Sequence, residues 1–170
     1  MSILVCPLSR LAEQVAAHQP GYVISLLDPG WPFPELGPRY ADRHLRLGFH
    51  DIQNPQEHYV MPCADHISEL LGFVKGWDRS EPLLIHCRAG ISRSPAAAYI
   101  AACANDPGAD ERELAATLRR VAPLARPNQT LIGLADNALG RGGRMRDAIA
   151  IEWQELGWIE VEENEPFRLV

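Results

Sequence analysis

Hydrophobic positions along this chain change their period near its midpoint. Before residue 87 they come in short blocks. Residues 2–6 and 22–27 are almost continuously apolar, 44–49 alternate polar with apolar, and Pro82-Leu83-Leu84-Ile85 is a compact apolar run. Blocks of four to six such residues between polar or Gly/Pro-rich stretches predict strands. Between them, residues 9–18 (with Ser9 as cap) and 62–77 predict helices, the second from Ile67, Leu70, Leu71 and Val74 at helical spacing. After residue 87 the spacing turns helical. A helix over 94–102 is expected to enter through a Ser94 cap with Pro95 at its first position, and another runs from Asp110 to Val121. Two more are expected from about Thr130 and after Gly142-Gly143. Strands alternating with helices early, and helices alone late, predict an α/β three-layer domain.

Three segments fall outside this pattern. Residues 28–38 are dense in Pro and Gly and predict a loop. Its Trp31 and Phe33 are expected to anchor it on the core, an aromatic wall beside the site being the other reading. Arg141, Arg144 and Arg146 read as a solvated basic helix start rather than a partner site. Residues from about 157 to 170 are acidic and less regular, and read as a tail lying on a core of about residues 1–156.

Composition narrows the picture without changing it. A chain of 170 residues with 46% hydrophobic content can bury one substantial core, so a single domain is expected. No run approaches the ~18 apolar residues of a membrane helix, and the first residues lack the basic lead and apolar stretch of a signal peptide. A net charge of −6 argues against nucleic acid or an anionic membrane as main partner. Cys6, Cys63, Cys87 and Cys103 have no metal-ligand spacing, and a reactive thiol persists in a reducing compartment; a cytoplasmic location is expected. Neither a metal nor any other cofactor is expected. Oligomeric state is not legible.

The chemistry concentrates in His86-Cys87-Arg88-Ala89-Gly90-Ile91-Ser92-Arg93-Ser94. A strand, a tight loop and a helix N-terminus together make an anion site from backbone N–H groups and the helix dipole. Cys87 at its start is placed to act as a thiolate nucleophile. Arg88, Ala89, Gly90, Ile91, Ser92 and Arg93 would surround a phosphoryl group, Gly90 supplying the backbone freedom and Arg93 a planar fork for two oxygens. The Ser94 hydroxyl can donate to the Cys87 sulfur, and His86 is expected to order the loop.

These residues match the His-Cys-x-x-Gly-x-x-Arg-Ser pattern, and the segment from about His44 to about Asn128 resembles the cysteine-dependent protein tyrosine phosphatases, above all their small dual-specificity and bacterial members. The resemblance implies a central mixed sheet of about four to five strands flanked by helices, with the reactive loop at its C-terminal edge. It also implies a general acid, best matched by Asp51, with Asp65 and Asp28 as competitors. It suggests a water-orienting role for Asn128 and Gln129, for which helix capping is the alternative. His58 and Tyr59 could line the cleft. The implied activity is phosphomonoester hydrolysis through a phosphocysteine, on a phosphorylated protein (phosphotyrosine foremost) or a small phosphomonoester. A catalytically weak phosphate-binding module, or a sulfurtransferase or arsenate reductase using the same loop, stay open at this point.

Overall fold

The structure is a computed structural model describing residues 2–154 and 161–170. In chain order its elements are β1 (Ile3–Pro7), α1 (Leu11–His18), β2 (Tyr22–Leu27), β3 (His44–Gly48), α2 (Ala64–Gly76), β4 (Leu83–Cys87), α3 (Arg93–Asn105), α4 (Glu111–Val121), α5 (Gln129–Ala138), α6 (Arg144–Glu152) and β5 (Phe167–Arg168). Five strands form one sheet in the order β3-β2-β4-β1-β5. The first four are parallel, and β5 returns antiparallel beside β1.

Strand side chains alternate between two apolar layers. Leu4, Cys6, Val23 and Leu84 face α1, with Leu11 and Tyr40. Ile3, Val5, Ile24, Leu26, Leu47, Ile85 and Cys87 face the opposite layer, where residues of α2 to α6 pack. This is the expected three-layer α/β arrangement. At the centre of the larger layer lies α3, buried from Arg93 to Cys103. A helix apolar all round must be enclosed by other elements, and α3 contacts β1, β4, α2, α4 and α5. Among the described residues no helix is long and apolar enough to cross a membrane.

Four expectations need correction. Ser9 does not cap α1; a short 3₁₀ turn over Leu8–Arg10 precedes the helix, and the Ser9 hydroxyl donates to Glu163 at 2.5 Å. The helix after the reactive loop begins at Arg93, so Ser92 and not Ser94 stands at its cap position and Pro95 is its third residue. Arg141 is not solvated: it is buried, pairs with the buried Glu111 at 2.9 Å and donates to the carbonyls of Cys103 and Asp106. That ion pair pins the turn before α6 to α3 and α4; Arg144 adds a second contact to Glu111 at 3.1 Å. The end of the chain is not irregular throughout. Residues 157–160 fall outside the described region, but Phe167 and Arg168 form the edge strand β5, and Leu169 is buried.

On the α1 face of the sheet, three polar side chains from adjacent strands meet. Ser25 Oγ lies 2.5 Å from His86 Nε2 and 2.7 Å from His44 Nε2. One hydroxyl bridges the Nε2 atoms of the two rings, accepting from one and donating to the other. Burial depresses both imidazoles, each to about 4. An unfolded histidine titrates near ~6.5, so between pH 6.5 and 4 the unfolded chain binds more protons than the folded one. The stabilisation from both rings is therefore complete above about pH 6.5 and falls as pH drops toward 4. Melting temperatures are expected to fall between pH 7 and 5, where few carboxylates titrate, and to fall less steeply in His44→Gln. A flat profile over that range would refute the linkage.

Candidate active site

Parallel strand order builds the site. The β2–β4 pairing sets Leu26 beside Cys87, and the β2–β3 pairing sets Leu27 beside Gly48. The C-terminal ends of β3, β2 and β4 therefore lie side by side. Asp51 and Asp28 follow β3 and β2, Cys87 ends β4, and the three arrive around one cavity of about 420 Å³, although far apart in the chain. Open α/β sheets place their ligand crevices at this edge.

The loop over residues 88–92 has every carbonyl tied to the surrounding body. Arg88 O accepts from Leu8 N (3.0 Å), Ala89 O from Asn164 N (2.8 Å), and Gly90 O from Asn164 Nδ2 (3.4 Å). Ile91 O accepts from Arg126 N (2.7 Å), and Ser92 O from Asn128 N and Ala96 N (3.2 Å each). In a trans peptide the N–H points opposite to the C=O, and the described chain has no cis bond. The amides of residues 89–93 are thus turned inward, as a seat for an oxyanion at the N-terminus of α3. Gly90 makes the close approach possible. Its φ is +70°, and a Cβ there would lie 3.0 Å from Pro7 N and 3.2 Å from the Cys6 carbonyl carbon.

Cys87 Sγ lies at the mouth of this loop, 3.1 Å from Ser94 Oγ. Freed from capping, the Ser94 hydroxyl addresses the sulfur. Arg93 is buried, its side chain only 4% exposed. Nη1 donates to Asp28 Oδ1 and to the Phe49 carbonyl, both at 2.8 Å, while Nε is buried without a partner. A buried unpaired guanidinium N–H is costly, and an anion in the cavity would satisfy it. Asp28, considered in the sequence only as a competing acid, holds that guanidinium.

Asp51 is fixed from two directions. Its Oδ1 accepts from Ser92 Oγ (2.7 Å) and from Asn128 Nδ2 (2.8 Å). Asn128 Oδ1 meanwhile accepts from Leu131 N at 3.0 Å, capping α5. The capping reading of Asn128 is thus met through its Oδ1, while its Nδ2 is engaged by Asp51. Gln129 is exposed and lines grooves beside α6, outside this cavity. Asp65 sits exposed in the first turn of α2. His58 is exposed and contacts Glu57, whereas Tyr59 lines the cavity with its ring against His50. His86 points to the α1 face, away from Cys87. Trp31 does not anchor its loop: it is 41% exposed, with the Arg88 guanidinium 5.0 Å from its ring centroid. Phe33 is half-buried.

Asn164 is the contributor that sequence reading missed altogether. It is buried, reaches the loop by both its backbone and its side chain, and is steadied by contacts from Ser9 to Glu163 and from Arg10 to Glu165. No local motif marks it, because its role comes only from the return of the chain beside β1.

The four thiols occupy different surroundings. Burial pushes Cys6 and Cys103 each up to about 12. Cys63 is exposed at the N-cap of α2, 3.2 Å from His66 Nδ1. Cys6 faces α1 and Cys87 faces the opposite layer, so their side chains do not converge as a disulfide requires. Limiting iodoacetate at neutral pH is expected to label Cys63 and Cys87 and to spare Cys6 and Cys103. Phosphate or vanadate should shield Cys87 alone. Mass-spectrometric mapping checks this, and labelling of Cys6 ahead of Cys87 would contradict it.

No protein-family model and no curated protein matches the sequence. Solved structures do match. A DUSP15 crystal structure aligns with 18% identity and a TM-score of 0.60, over 91% of this chain and 92% of that one. The Yvh1 phosphatase domain from Chaetomium thermophilum aligns with 17% identity and a TM-score of 0.58, over 84% and 93%. The PTP-2 phosphatase of Cydia pomonella gives 19% identity and 0.58, over 81% and 85%. The chain has the fold of the dual-specificity and tyrosine phosphatases.

Proposed function

We propose that this protein is a cysteine-dependent phosphomonoesterase acting through a phosphocysteine on Cys87. The observation that carries the reading is the convergence of a thiol, a ring of inward amides, an Arg93 Nε without a partner and a doubly held Asp51 around one cavity. The Cys87 thiolate attacks phosphorus; the S–P bond forms as the ester P–O bond breaks. The inward amides and Arg93 hold the equatorial oxygens, whose charge grows little while their geometry changes. Asp51, with Oδ1 occupied, gives a proton to the departing oxygen. In the second half, Asp51 takes a proton from water as it attacks the phosphocysteine; the S–P bond breaks and phosphate leaves. Ser94 donates to the sulfur and eases its departure.

The substrates that fit are phosphorylated proteins, phosphotyrosine foremost, or small phosphomonoesters. Tyr59 and Ile52 offer an apolar wall to an aryl group. Steady-state rates on phosphotyrosine and phosphothreonine peptides, an inositol phosphate and p-nitrophenyl phosphate test the reading. Vanadate-sensitive phosphate release, fastest on the aryl esters, is expected. Absence of release from all four, or turnover of thiosulfate or arsenate instead, would overturn it.

A further inference from the structure

Arg88 and Arg93 both line the cavity, but they are held in opposite ways. Arg93 is buried and paired with Asp28 at 2.8 Å. Arg88 is exposed and makes no ion pair among the described residues; its guanidinium lies over the Trp31 ring, 5.0 Å from the centroid. Trp31 belongs to the 28–38 loop at the rim and is not part of the cavity lining. The ring thus gives the guanidinium a platform on the 28–38 loop and limits its rotamers. A cation on an aromatic face keeps its N–H edges free, and a guanidinium edge matches a carboxylate or phosphate. Neither carboxylate that lines the cavity forms an ion pair with Arg88. Asp28 is engaged by Arg93, and Asp51 by Ser92 and Asn128.

We infer that Arg88, on its Trp31 platform, is a subsite for a second anionic group on the substrate, selecting phosphotyrosine peptides with a carboxylate beside the phosphorylated residue. This rests on the phosphomonoesterase reading and adds the feature that chooses among phosphopeptides. The peptide source is favoured because one exposed guanidinium on an aromatic face, with Tyr59 and Ile52 lining the same cavity, offers apolar contact with a single added charge. A polyphosphorylated headgroup would call for several cations, and among the described residues Arg88 and Arg93 are the only Lys or Arg side chains lining the cavity.

Binding and turnover are read separately. Binding is measured by calorimetry with Cys87→Ser, on phosphotyrosine peptides carrying Glu, Gln or phosphoserine next to phosphotyrosine, and on an inositol bisphosphate. The Glu peptide should bind about fivefold tighter than the Gln peptide at low salt, as expected for one ion pair of about 1 kcal/mol. The ratio should shrink toward one at high salt. Arg88→Gln and Trp31→Ala, each added to Cys87→Ser, should both bring the Glu:Gln ratio close to one. In an otherwise wild-type chain, Trp31→Ala should leave p-nitrophenyl phosphate hydrolysis unchanged. Equal affinity for the Glu and Gln peptides, or a ratio that survives both substitutions, overturns the subsite. Tighter binding of the inositol bisphosphate or the phosphoserine peptide than of the Glu peptide overturns the carboxylate assignment. A wild-type chain that hydrolyses nothing while the Cys87→Ser preference persists would sink the phosphomonoesterase reading and leave the subsite standing.

Discussion

Cys87→Ser is expected to reduce hydrolysis of p-nitrophenyl phosphate to below about one per cent of wild type while phosphate still binds. The two halves of this expectation have separate structural sources. Binding depends on the amides of residues 89–93, whose orientation is fixed by carbonyl contacts to Leu8, Asn164, Arg126 and Asn128. None of these contacts involves the sulfur, so the seat survives its replacement. Turnover depends on a nucleophile that attacks phosphorus and later leaves, and an alcohol in place of the sulfur does neither well. The substitution places a second hydroxyl where Ser94 Oγ already stands 3.1 Å away, and the two can bond to each other without disturbing α3. Phosphate-dependent thermal stabilisation with loss of turnover would match both halves. Activity above about one per cent would rule out covalent catalysis by Cys87, and loss of phosphate binding would show that the thiolate helps to hold the seat open.

What the sequence showed of this site follows from how local each feature is. The strand, loop and helix around Cys87 are contiguous, so residue types at fixed offsets reveal them. The start of α3 lies two residues before the expected one because a helix buried on all sides has no amphipathic phase to mark its first turn, and Ser92 and Ser94 both look like caps. Asp51 and Asn128 were named by resemblance; that they bond to each other depends on the loop after β3 meeting the N-terminus of α5. The role of Asp28 beside Arg93 depends on β2 lying between β3 and β4, an order no sequence pattern encodes. The same holds for Ser25 between His44 and His86. Strand β5 is two residues long, too short for any period, and with it Asn164 escaped notice.

Asp51→Asn is expected to lower kcat on phosphotyrosine and phosphothreonine by roughly 10²–10⁴, as for a lost general acid. The loss should be smaller on p-nitrophenyl phosphate, whose leaving group needs little protonation. Asparagine can still accept from Ser92 and Asn128 through its Oδ1, so the loop geometry is retained and only the transferable proton is lost. Asn128→Ala separates position from chemistry. It removes one of the two contacts to Asp51 together with the α5 cap, so a smaller drop in kcat should accompany a stability loss of about 1 kcal/mol. Asp65→Asn, at an exposed position outside the cavity, should leave rates unchanged. Asp28→Asn is the sharper control, because Asp28 shares the cavity and differs in engaging the guanidinium. Its loss should weaken phosphate binding and slow all esters alike, since it acts through Arg93 rather than on the leaving oxygen. If instead Asp28→Asn shows the leaving-group dependence and Asp51→Asn does not, the proton comes from the β2 edge of the site, and Asp51 serves only to hold the loop through Ser92.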